Sequence, residues 1–103
     1  MRITFATGTI EAGEHVQRAI ERKIRLALTR YSPKVRQLVV TLTNTSTPPE
    51  GLEKQCCIAV HFKDGSIAKA TGKAHEVTEA GAEAAHRASR VVRRLLDHPE
   101  NAC

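Results

Sequence analysis

The sequence predicts a single α+β domain, in the order β-α-β-β-β-α, with two helices packed on one face of a four-stranded sheet. Three observations predict it. Two segments carry apolar residues at spacings of three and four, whereas four shorter segments read as strands. A length of 103 residues suits one domain. No internal repeat appears, so residues 1–97 are expected to form the domain and residues 98–103 a short tail.

Residues 2 to 6 alternate, with Ile3 and Phe5 on one face, and predict a short strand ended by Thr7-Gly8-Thr9. From Glu14 to Tyr31, the residues Val16, Ile20, Ile24, Ala27 and Tyr31 form one apolar stripe, and Ser32-Pro33 is expected to stop this helix. Val35 to Thr43 is rich in β-branched residues and places Leu38, Val40 and Leu42 on one face. Asn44 to Gly51, with two prolines, reads as a polar loop. Lys54 to Lys63 alternates with Cys56, Ile58, Val60 and Phe62 inward, and Asp64-Gly65 marks a hairpin. The return strand, Ser66 to Lys73, turns Ala68, Ala70 and Gly72 inward. The last helix runs from Glu76 to Leu96, with Val77, Ala80, Gly81, Ala84, Ala88, Val92 and Leu95 at a period near 3.6.

Composition narrows the function. The net charge is +5, from 16 Lys+Arg against 11 Asp+Glu. Only Phe5, Tyr31 and Phe62 are aromatic, too few for a sheet that stacks single-stranded bases on several rings. No apolar run approaches the ~20 residues of a membrane span, and the amino terminus lacks the apolar stretch of a signal peptide. Three cysteines, two of them adjacent, make no disulfide framework. A cytoplasmic protein is the expectation.

The charge sits on the helices. Residues 14–36 hold seven basic and two acidic groups, residues 85–96 four arginines and no acid, and residues 44–84 four basic and six acidic groups. Arg18, Arg22 and Arg25 fall opposite the first helix's apolar stripe, with Lys23 and Arg30 nearer its boundary. Arg87, Arg90 and Arg94 share a stripe of the second helix, beside Arg93 and His86. Any helix on the outside of a sheet displays charge, but solvation alone favours mixed signs, because oppositely charged pairs four apart add stability. An acid-free run of arginines forgoes that gain, and guanidinium suits bidentate phosphate contact. If the helices pack side by side, the two stripes form a two-railed surface for folded RNA.

With these signals, the layout resembles the ribosome hibernation-promoting factors, also called ribosome-associated inhibitors or sigma-54 modulation proteins. Thr7-Gly8 followed by Ile10-Glu11, Glu21-x-Lys23, Tyr31 near the end of the first helix, Asp64-Gly65, and Arg87, Arg90 and Arg94 carry the resemblance, which spans residues 1 to about 96. It implies a non-enzymatic protein, without cofactor or metal, that binds the small ribosomal subunit and its 16S-type rRNA at the decoding channel. There it would block mRNA and tRNA and inhibit translation in stationary phase or stress. Arg18, Arg22, Lys23, Arg25, Arg87, Arg90 and Arg94 are the expected rRNA phosphate contacts, joined by Arg30 and Arg93.

Where the family has Asp-Met-Tyr entering the second helix, this chain has Glu76-Val77-Thr78. Gly81, Ala84 and Ala88 replace larger core residues, so that helix must lie closer to the sheet or pack less well. The Asn44–Gly51 loop is longer and richer in proline than the family's. The long family forms carry a carboxy-terminal dimerisation domain that does not appear within the 103 residues. A monomer off the ribosome is therefore expected, one that does not pair ribosomes by its own dimerisation.

Two other readings of the charge are a structured-RNA-binding module without ribosome preference and a protein-interaction module using the open sheet face or hairpin edge. Catalysis finds little support. Cys57 and His61 lie four apart on one strand, roughly 13 Å at ~3.3 Å per residue, too far for a dyad. His15, His61, His75, His86 and His98 show no metal-binding spacing, and no phosphate-cradling glycine loop appears.

Overall fold

The computed structural model describes residues 1–6, 8, 13–46 and 52–97. Along the chain come β1 (Arg2–Ala6), α1 (Glu14–Leu28), a 3-10 segment (Thr29–Lys34), β2 (Val35–Ser46), β3 (Leu52–Phe62), β4 (Ile67–Ala74) and α2 (Val77–Asp97). The sheet order is β1-β2-β3-β4. β1 pairs parallel with β2, which requires the α1 crossover, and the remaining pairs are antiparallel.

The strand patterns hold. Leu38, Val40 and Leu42 of β2, Cys56, Ile58, Val60 and Phe62 of β3, and Ala68 and Ala70 of β4 face inward and are buried. Ile20, Ile24 and Leu28 of α1 and Ala80, Ala84, Ala85, Ala88 and Val92 of α2 close over them in one cluster. No polar or charged side chain among the described residues is buried.

Several boundaries differ from the sequence expectation. α1 ends at Leu28, and the chain tightens into a 3-10 segment that carries Tyr31 and tolerates Pro33 inside it. Three-residue geometry keeps the Tyr31 ring in the core without demanding an α-helical residue before the proline. β2 runs to Ser46 and β3 begins at Leu52, so the ladder takes in residues assigned to the loop. The rest of that loop, residues 47–51, lies outside the described residues, as does the tail 98–103. Leu95 is 44% exposed, and Ala85, which the periodic reading omitted, is buried instead. β4 begins at Ile67 and α2 at Val77, each one residue later than expected.

The β3–β4 turn spans three residues. Gly65 N–H donates to the Phe62 carbonyl at 3.0 Å and Phe62 N–H to Ser66 at 2.9 Å, with Gly65 at φ +94°. This is a tight turn followed by a left-handed residue. Asp64 fixes it by accepting from the Ser66 N–H at 2.8 Å and the Ser66 hydroxyl at 2.6 Å.

α2 lies unusually near the sheet. A Cβ placed on Gly72 of β4 would sit 2.4 Å from the Ala84 nitrogen and 2.5 Å from the Ala80 oxygen. A Cβ on Gly81 would sit 2.8 Å from Ile20 Cγ1, on a stiff, fully buried side chain of α1. The small residues in the second helix therefore mean closer approach, and both helices seat side by side.

Two outcomes follow. Gly72→Ala must push α2 off β4, and it should lower stability by about 1–3 kcal/mol, seen as a reduced urea midpoint at unchanged slope. The Ser66 hydrogen bonds hold the Asp64 carboxyl below the ordinary carboxylate range. A carboxyl depressed in the folded state contributes above its unfolded pKa and loses that contribution as pH falls through the folded value. The Ser66 amide resonance should therefore titrate with a midpoint below the ~3.9 of free aspartate, and Asp64→Asn should abolish the titration.

Candidate nucleic-acid interface

α1 and α2 present their outer faces on the same side of the sheet. Lys23, Leu26 and Ala27 of α1 and Ala82, Ala85, His86 and Ser89 of α2 line a shallow groove between them. Leu26 is 78% exposed at the rim of this groove, an apolar residue on the outer face of a basic helix. The sequence reading passed over it because it lies off the apolar stripe.

The nine basic candidates divide by what they touch. Arg18 pairs with Glu14, Arg25 with Glu21 at 3.6 Å and Arg87 with Glu83 at 2.7 Å, each four residues along its helix. Arg25 also donates to the Met1 carbonyl at 3.4 Å beside β1, and Arg87 to the Thr71 carbonyl of β4 at 3.0 Å. Arg30 stacks its guanidinium over the Tyr31 ring, 5.5 Å from the centroid. Arg22, Lys23, Arg90, Arg93 and Arg94 are exposed and form no ion pair with a described residue.

This division modifies the two-rail picture. Arg25 leans toward β1 and Arg87 toward β4, the two opposite edges of the sheet. Arg18 shares a depression with Ile3, Thr4 and Phe5 of β1. These three are outer supports, already neutralised in part by glutamates. At about 100° per residue, Arg22 stands on the crest of α1, with Lys23 turned toward the groove. On α2, Arg93 stands beside His86 on the groove side, and Arg90 and Arg94 toward the β4 side. Exposed i,i+4 pairs contribute only about 0.3–0.5 kcal/mol, so the paired arginines can exchange glutamate for another anion at small cost.

The sequence profile described as "Sigma 54 modulation protein / S30EA ribosomal protein" matches residues 3–98. The chain belongs to this S30EA family. Family members are ribosome-associated factors rather than enzymes. Among solved structures, a ribosomal subunit interface protein from Coxiella burnetii is similar, with a TM-score of 0.76 at 14% identity, over 94% of this chain and 99% of that one. The N-terminal domain of Thermus thermophilus Protein Y is similar at a TM-score of 0.65 and 16% identity, over 92% and 99%. At such identities the likeness is one of fold. Comparison with curated protein sequences finds no match.

The residues that carry the resemblance are only partly described. Gly8 lies in the structure, whereas Thr7, Ile10 and Glu11 lie outside the described residues. Glu21 and Lys23 diverge in role: Glu21 pairs with Arg25, and Lys23 lines the groove. No group of three or more His, Cys, Asp or Glu that could hold a metal occurs among the described residues. Among them no helix is long and apolar enough to cross a membrane.

The two strand cysteines have opposite surroundings. Cys56 packs in the core, where burial, helped by neighbouring Cys57, pushes its thiol up to about 12. Cys57 is half-buried on the open face, between Thr41 of β2 and Thr71 of β4. Iodoacetamide at pH 8 should therefore alkylate Cys57 in the folded protein and spare Cys56 until denaturant is added, as peptide mass mapping would show.

Proposed function

We propose that this chain is a ribosome hibernation factor that binds the small ribosomal subunit at the decoding channel. Its basic helix faces contact 16S-type rRNA phosphates, and its rigid body blocks mRNA and tRNA, inhibiting translation in stationary phase or stress. The observation that carries this reading is the conjunction of S30EA membership with five cations on two adjacent helices, none paired with a described acid. Phosphate contacts position a body on folded RNA without reading bases, and steric exclusion needs no chemistry. In this reading the protein is cytoplasmic and monomeric off the ribosome.

Arg22, Lys23, Arg90, Arg93 and Arg94 are the central contacts. Arg18, Arg25, Arg30 and Arg87 support them from the flanks, with Arg87 also tying α2 to β4. Leu26 lies between the rails, where it can rest on a ribose face across the wide minor groove of folded RNA.

The test is co-sedimentation with ribosomes on sucrose gradients at two salt concentrations. The expected result is stoichiometric migration with the small subunit, competed by tRNA, with a log–log salt slope on the order of −5 for about six phosphate contacts. The Arg90→Glu, Arg93→Glu, Arg94→Glu triple variant should stay folded by circular dichroism and remain at the top of the gradient. Co-migration of that folded variant would remove α2 from the interface. Binding of any duplex RNA equally, without preference for the subunit, would support a general RNA-binding module instead.

A further inference from the structure

A second basic site lies away from the helix crests, at the β1–β2 end of the sheet. Met1, Arg2, Arg36 and Gln37 line an open cleft of about 650 Å³. Arg2 and Arg36 are exposed and form no ion pair with a described residue. Met1, which lines the cleft, also accepts from Arg25 through its carbonyl, so one residue joins the cleft to the basic flank of α1.

A bulge builds this cleft. β2 pairs Val35 with Phe62 and Gln37 with His61, leaving Arg36 as the extra residue. Under strict alternation Arg36 would share the inward face of Leu38. The bulge returns Val35 to the core, where it is 1% exposed, and sends Arg36 outward beside Gln37. Gln37 pairs in register with Arg2 of β1, which brings the two guanidinium groups to one cleft. Two like charges without an acid repel each other, and a shared anion relieves that repulsion.

We propose that Arg2 and Arg36 form a phosphate-binding cleft that grips the RNA backbone, extending the interface from α1 around the β1 edge onto the open side of the sheet. This rests on the rRNA-binding reading above and adds to it a contact that the helices do not make. Arginine forks match phosphate oxygens bidentately, and the partly polar cleft, with the Gln37 amide, offers further donors. Bound RNA would therefore turn around an edge strand instead of lying only across the helices.

The experiment compares the full chain with Arg2→Gln, Arg36→Gln and with Arg2→Lys, Arg36→Lys, binding purified small ribosomal subunits over a salt series. Thermal unfolding first establishes that each variant is folded. The glutamine variant should bind at least about tenfold more weakly and lose about two from the magnitude of the salt slope, because each phosphate contact contributes about 0.9. The lysine variant should recover the slope, since its charge remains. An unchanged affinity and slope in the glutamine variant, with the wild type binding normally, overturns the cleft alone. Absence of wild-type binding overturns the rRNA reading and the cleft with it.

Discussion

The helical side of this protein depends on how closely α2 can approach the sheet. At Gly72 the backbone of β4 meets the backbone of α2 at Ala80 and Ala84, leaving no room for a Cβ. Alanines on both surfaces keep that spacing along the contact, with Ala68 and Ala70 below and Ala84 and Ala88 above. Many close backbone contacts then replace the interdigitation of large side chains that fills most cores. The same small-residue face lets Gly81 seat against Ile20, which brings α1 alongside. The shallow groove between the helices, and with it the placement of Lys23 and His86, follows from that contact.

Charge is organised around this frame in two tiers. Arg25 and Arg87, the helix arginines that lean over the sheet edges, are tied to glutamates and to main-chain carbonyls, which orients them and tempers their repulsion. Cations near the crests are exposed and have no described acidic partner. A polyanion meeting this surface finds unpaired charge first and paired charge at its margins. Because the surface lacks exposed aromatic rings and carries guanidinium groups, its recognition is of backbone shape and charge rather than of base identity.

Much of the fold was legible because its signals are periodic. The inward positions of β3 and β4 followed from strict alternation, and the apolar stripes located both helices. Their combination with Thr7-Gly8, Asp64-Gly65 and the arginines of the last helix sufficed for the family resemblance, which the profile match over residues 3–98 bears out. What escaped was local deviation from periodicity. Pro33 reads as a stop, yet a 3-10 segment accommodates it so that Tyr31 can pack inward. Leu95 satisfies the period of α2 but stands half-exposed in its last turns, lining an open cleft with Phe62 and Ile67 beside the β3–β4 turn, whereas Ala85 is buried on the side of α2 that faces α1. The Arg2–Arg36 cleft was invisible for a similar reason, because a bulge breaks alternation without a glycine or proline to announce it. The pairing of Arg87 escaped because its partner Glu83 lies just outside the acid-free stretch at residues 85–96.

The hydrogen bond from Arg87 to Thr71 bears on the protein's behaviour in concentrated solution. β4 has a single neighbour, so it ends the sheet with main-chain groups open to recruitment by another chain. Arg87 swings down from α2 to occupy one of its carbonyls, while Lys69 and Lys73 stand exposed on the same strand. A second molecule docking edge to edge would have to displace a guanidinium and desolvate two ammonium groups before forming its first ladder bond. The fold thus discourages its own continuation into filaments, and it does so with a residue that also belongs to the basic face.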